Sequence, residues 1–292
     1  MKNTLRTELR LAFCNRFFWV SFLLMTAFAA FGVVLMETAR EHGFEMWRQF
    51  RFDESGNPLQ SFFLPATSLY CKWLGGDAGQ FTTATFYFLV FLVCTVPFSW
   101  SLVSEKQSGY EIHMVLSAGK PAYYLSKYVA SFISGAFVVA VPLLLNFVLS
   151  ACFVPAFRPE PYADLYYGIP STYLWGNLFV SYPLLYVFLY LMLAGFMAGM
   201  WATVGVSLAF VAKNRFVVMI CPYLLLLFFH VLWSNFAGSI LNVYVQLSPI
   251  YFIIPRALGF SNNGWVIAGW VIVILLFDVL IYRQRGLKAD VL

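Results

Sequence analysis

Charge is scarce in this chain: Asp, Glu, Lys and Arg make up 11% of its 292 residues, against about a quarter in an ordinary soluble domain. That leaves too little polar surface to coat a water-soluble globule. With 61% hydrophobic residues and a mean hydropathy of +0.77, the chain belongs in a lipid bilayer. Strict apolar and polar alternation is missing as well. The apolar runs are continuous, which fits helices that satisfy their own backbone groups and does not fit an outer-membrane barrel. Six such runs use up the length, so one transmembrane domain over residues 1–292 is expected, with no soluble catalytic domain beside it.

Further absences narrow the function. A phosphate-binding loop needs two glycines and a hydroxyl after its lysine, because backbone N–H groups must cradle the phosphates. The one Gly-Lys pair, Gly119-Lys120, is followed by Pro121 and has Met114 where the first glycine belongs. Metal ligands are sparse. Glu41, His42 and Glu45 lie together in a charged stretch that reads as solvated, while His113 and His230 stand apart. His230, near the outer end of a span, reads as a hydrogen-bonded interface residue rather than a proton carrier. No serine or cysteine has a base at a spacing that supports a hydrolase. The chain is therefore not expected to be an enzyme.

What is present is a set of apolar runs, each long enough to cross about 30 Å of hydrocarbon. Six spans are predicted: Phe17 to Met36, Phe81 to Val103, Tyr128 to Ser150, Tyr182 to Ala212, Phe216 to Trp233 and Trp265 to Tyr282. The first is no cleavable signal, since its apolar core is long and Glu37 follows instead of a small-residue cleavage site. Lys and Arg set the orientation, because cytoplasmic loops retain positive charge. With the N-terminus inside, twelve of the 18 basic residues fall in inner segments, and the outer segments carry six basic residues against eight carboxylates. Both termini are thus expected in the cytosol, with the protein multi-pass in the plasma (inner) membrane. The net charge of +5 then reports topology and not a nucleic-acid partner.

The segments between spans carry distinct signals. Residues 1–16 place Leu5, Leu9, Ala12 and Phe13 at helical spacing opposite Lys2, Arg6, Arg10 and Arg16. That pattern predicts an interfacial helix on the inner leaflet, the alternative being a basic tail. The outer loop 37–80 is long and aromatic, with an amphipathic helix expected around Trp47 and a turn at Ser55 to Pro58; it forms either a small cap or a belt at headgroup level. Cys71 and Cys152 fall on the outer side, where they either form a disulfide or remain two thiols. The fourth run exceeds a bilayer's need, so it tilts, protrudes or begins as a surface helix near Trp175. Its Gly195, Gly199 and Thr203 share one face and serve packing within the subunit or a dimer seam. Residues 234–264 are apolar yet broken by Pro249, Pro255, Gly259 and Gly264, which predicts a re-entrant outer hairpin. Asp278 is the one carboxylate inside a predicted span, read either as a functional acid or as one relieved by Arg283 and the nearby interface.

The polar segment 104–127, SEKQSGYEIHMVLSAGKPAYYLSK, sits between the second and third spans and must be a compact element at the inner surface. Together with six spans, the N-terminal helix, the very short inner loop Lys213-Asn214-Arg215 and the broken hairpin, it resembles the ABC-2 type permeases, the membrane subunits of ATP-binding-cassette exporters. The local match runs through Glu105, Lys106, Gly109, Leu116, Ser117, Lys120, Pro121 and Lys127. The resemblance implies an all-α integral membrane fold in which a coupling helix, Glu105 to Gly119, docks into a groove of a separate ATPase subunit. Ile112, Met114, Val115 and Leu116 would supply its apolar side, and Glu105, Lys106, Glu111 and His113 its polar rim. It also implies a second permease copy, identical or related, and a cavity lined by spans one, two and five. Candidates there are Trp19, Phe22, Phe86, Tyr87, Phe88, Trp100, Tyr223, Phe228 and Phe229, a wall suited to a lipid, peptide or drug. No cofactor is implied on this chain, with ATP and Mg on the partner. The long outer loop departs from a minimal member of the family. An ion-coupled carrier or channel is the alternative, but such carriers commonly show internal repeats and several midplane ionisable groups.

Overall fold

The computed structural model describes residues 2–49, 68–76, 80–159, 169, 173–236, 247–255 and 262–287. Among these residues every regular element is helical. The helices are α1 (Lys2–Phe13), α2 (Arg16–Gln49), α3 (Phe81–Val93), α4 (Ser101–Ser108), α5 (Tyr110–Ala118) and α6 (Lys120–Ala151), followed by α7 (Gly176–Ser181), α8 (Pro183–Leu208), α9 (Arg215–Phe236), α10 (Pro249–Phe252) and α11 (Gly264–Ile281). Five of them, α2, α6, α8, α9 and α11, are long and apolar enough to cross a membrane. This is a multi-pass helical membrane protein.

The second predicted span is not one helix. α3 has 13 residues, about 20 Å at 1.5 Å each, and residues 94–100 form successive turns before α4 begins. Pro97 explains the interruption: it has no N–H for the Val93 carbonyl, and its ring crowds the preceding turn. The Val93 carbonyl instead accepts from Val96 N–H at 3.3 Å. Hydroxyls hold the irregular stretch to its neighbours. Thr95 Oγ1 lies 2.8 Å from the carbonyls of Leu92 and of Met219 on α9, and Ser99 Oγ donates to the Ala202 carbonyl on α8 at 3.0 Å.

The first span is longer than predicted, because α2 runs without a break to Gln49 and absorbs the start of the outer loop. The turn at 55–58 and the rest of the expected cap lie outside the described residues. α7 precedes α8, and the chain breaks between them at Tyr182, with Pro183 in the first turn of α8. Of the expected hairpin, α10 is described: Ile250, Phe252, Ile253 and Ile254 are buried, and α10 packs on α3 and α11. Residues 237–246 and 256–261 lie outside the described residues. No disulfide joins buried Cys71 to exposed Cys152.

α6 and α8 form the centre of the bundle, with α1 and α2 against one side of α6 and α9 and α11 against α8. Small residues permit this close approach. A Cβ on Gly199 would lie 2.8 Å from the Phe132 ring, and one on Gly135 would lie 2.6 Å from the Ala202 Cβ. The small-residue face of the fourth span is therefore used inside the subunit. Buried Asn146 ties α6 to α2 and to the segment before α3, donating to the Ala29 carbonyl at 2.8 Å and accepting from Leu74 N–H at 2.9 Å.

Residues assigned by charge to the same side of the membrane meet at the same end of the bundle. Glu8, Glu105 and Lys127 touch there, Gln107 donates to the Lys213 carbonyl at 2.8 Å, and the Tyr124 ring contacts Phe210 and Tyr282. At the opposite end Leu69 N–H bonds to the Pro155 carbonyl, and Tyr186 Oη donates to the Pro255 carbonyl at 2.7 Å.

Candidate functional site

The segment 104–127 is built around two glycine corners. Gly109 closes α4 with φ 75° and ψ 0°, and Gly119, φ 83°, separates α5 from α6. No atom lies within 4 Å of a Cβ built on Gly109, so its left-handed backbone, not lack of space, calls for glycine there. Pro121 follows in the first turn of α6, where a missing N–H costs nothing. The single helix expected from Glu105 to Gly119 is thus two helices at a corner: Glu105 and Lys106 belong to α4, and the nine residues Tyr110–Ala118 form α5.

The two faces of α5 differ from the sequence expectation. Met114 and Val115 pack inward, on the cluster that contains Leu102, Tyr124 and Val218. Glu111 is no rim residue, being buried and accepting a 2.8 Å hydrogen bond from Tyr124 Oη. Ile112, His113 and Ser117 are exposed, and Leu116 is 72% exposed. Lys106 lies 4.7 Å over the Phe210 ring and 3.5 Å from the Ala209 carbonyl. Burial lowers its pKa, opposed by the Glu111 charge.

Behind the corner lies a buried ionic cluster. Lys127 on α6 is fully buried and stands between two carboxylates: its Nζ is 2.7 Å from Glu8 Oε2 on α1 and hydrogen-bonds Glu105 Oε1 on α4. Tyr123 Oη donates to the other Glu105 oxygen, and the ammonium lies 4.9 Å over the Phe98 ring. The Glu8 contact is an ion pair by distance without hydrogen-bond alignment, and Glu8 Oε1 has no donor. Burial raises the Glu8 pKa, Lys127 opposes that shift, and the neighbouring Glu105 charge adds to it. Asn15 completes the joint. Its Oδ1 caps α2 by accepting from Phe18 N–H at 2.8 Å, and its Nδ2 donates to the Pro97 carbonyl at 2.8 Å.

Sequence reasoning missed Glu8, Tyr123 and Tyr124, and took Lys127 only as the return into the third span. One signal was present. Glu8 is the single acid among the first sixteen residues, on a row with Thr4 and Ala12, and all three are buried.

The aromatic cavity candidates do not share one surface. Phe86, Tyr87 and Tyr223 are buried in the core of the subunit, Phe22 and Trp100 are half-buried, and Trp19 and Phe228 stand on the apolar exterior. Phe88 is exposed and meets Tyr223 edge-on at 5.7 Å, whereas Phe229 packs edge-on against Trp270 at 5.1 Å. Trp100 meets Phe17 edge-on at 5.0 Å, with the Arg215 guanidinium 5.7 Å from its ring. Asp278 is not paired with Arg283, which is exposed. Its oxygens accept from Thr203 and Ser207, each at 2.6 Å.

Fold and site together define a helical membrane protein with a short, partly exposed helix, α5, beside a buried charge cluster. No protein-family model, curated protein or solved structure matches the chain.

Proposed function

We propose that this chain is the membrane permease subunit of an ATP-binding-cassette exporter, moving a hydrophobic or amphipathic cargo outward on ATP hydrolysed with Mg by a separate subunit. The observation that supports this reading is α5: a nine-residue helix set off by two glycine corners, with Ile112 and Leu116 turned outward and Glu111, Met114 and Val115 held to the bundle. A docking partner finds two exposed apolar side chains to cover, each worth about 1.5–3 kcal/mol when fully buried. A push on α5 reaches α6 through Tyr124, and reaches α1 through Glu105, Lys127 and Glu8. The end of the bundle that carries α5 is then cytosolic, and the apolar exterior around Trp19 and Phe228 faces lipid or a second permease copy.

The test is to solubilise the tagged protein gently from its native membrane and analyse what comes with it. A stoichiometric ATPase is expected, and Leu116→Asp is expected to release it while the permease still inserts. If no ATPase accompanies the wild-type protein, or if Leu116→Asp retains it in full, the reading fails.

A further inference from the structure

Beside the segment 104–127, which contributes Pro121 and Leu125, α6, α8 and α11 border a cavity of about 390 Å³, within the usual range for small-molecule sites. Leu125, Tyr128, Phe132, Leu275 and Tyr282 form much of its wall, and Asp278 is its acid. Leu125 and Leu275 are about half exposed on the apolar exterior, so the cavity opens sideways to whatever covers that surface and not through the axis of the bundle. Asp278 itself is buried. No basic side chain forms a salt bridge with it among the described residues; its neighbours are hydroxyls, with Tyr128 Oη 2.8 Å from Ser207 Oγ, which in turn donates to Asp278 Oδ1.

An acid without a counter-ion in an apolar, lipid-accessible cavity is costly to keep. Three aromatic rings line the same space, and aromatic faces attract organic cations. Carboxylate, aromatic faces and apolar walls are together the chemistry that recognises an ammonium group carried on a hydrocarbon body. A neutral lipid tail would use the walls and leave the acid to its two hydroxyl donors, Thr203 and Ser207; an anion would be repelled by it. The geometry points to a site for an amphipathic organic cation that enters from the bilayer and sets its ammonium on Asp278. This site shares α6 with the proposed coupling path but uses no residue of α1, α4 or α5, so cation binding can be measured with no ATPase present.

The test uses the whole protein in nanodiscs of phosphatidylcholine and equilibrium dialysis against decyltrimethylammonium, with uncharged decanol as comparison. One saturable site per chain is expected for the cation, weakened at least tenfold by Asp278→Asn. Leu275→Trp, which fills the mouth and keeps the carboxylate, is expected to weaken it similarly. Binding of decanol as tight as that of the cation overturns the proposal, as does undiminished cation binding by either variant. If Asp278→Asn does not assemble, Leu275→Trp and the preference for cation over decanol decide.

Discussion

Replacing Lys127 with methionine isolates the contribution of the ionic cluster. The substitution keeps most of the side-chain volume and removes the ammonium, leaving Glu8 fully buried and Glu105 at 13% exposure with no cation between them. Breaking a buried ion pair by deleting one partner typically costs about 3–5 kcal/mol, because the remaining charge keeps its desolvation penalty. Glu8, whose pKa burial raises, can relieve part of that penalty by taking up a proton, so the loss should be larger at pH 7 than at pH 5. The sign follows from linkage: a carboxyl with a raised value in the folded state, as at Glu8, binds its proton more tightly there than when unfolded, and stability then rises as pH falls. The assay is equilibrium unfolding in mixed micelles, followed by tryptophan fluorescence. Adding Glu8→Gln and Glu105→Gln to Lys127→Met removes both orphaned charges and should recover at least half of the loss. A Lys127→Met variant within about 1 kcal/mol of wild type at pH 7, or a triple variant no better than the single one, would refute the cluster as described, since one partner lost from such a pair should cost several times that.

Two further outcomes follow from the same structure. Burial raises the Glu8 pKa from its ordinary value of 4.5, so the Glu8 contribution to stability is greatest below that value and declines as pH rises through the folded one. Glu8→Gln should remove this decline, as seen in unfolding midpoints measured across pH 4 to 8 (about the carboxylate range). At the α6–α8 seam, Gly199→Val drives a branched side chain into the Phe132 ring, 2.8 Å from where a Cβ would lie. Overpacking of this kind costs about 1–3 kcal/mol, and the midpoint of a thermal scan should fall accordingly.

Spans were readable from the sequence wherever a run was apolar and unbroken, because a helix in lipid needs only length and composition to be recognised. The runs behind α8, α9 and α11 appear at nearly their predicted positions, while α6 starts at Lys120, ahead of the predicted Tyr128. The second span was misjudged because Pro97 was passed over. One missing N–H breaks the helix, but the segment stays in place because Thr95 and Ser99 find carbonyls on α9 and α8, and those neighbours are not visible along the chain. The segment 104–127 was legible in part. Gly119 marked the end of its helix, but the corner at Gly109 falls inside the helix expected from Glu105, and its apolar and charged residues were all assigned outward. The structure turns Glu111, Met114 and Val115 in, and it keeps Glu105 for Lys127.

Composition alone determined that this protein lives in a membrane, since an 11% charged chain cannot be wetted as a globule. The distribution of Lys and Arg likewise grouped the segments that meet at one end. Tertiary structure alone decided which charges meet. Glu8, Glu105 and Lys127 are separated by up to 119 positions, and only the packing of α1 and α4 on α6 brings them into ion-pair range. The same holds for Asp278, whose partners Thr203 and Ser207 lie more than 70 residues away on α8. Local patterns record what each segment must do with water and lipid. Pairing among buried polar groups depends on which helices are neighbours, and that is settled by shape, as where Gly199 lets α8 close on α6.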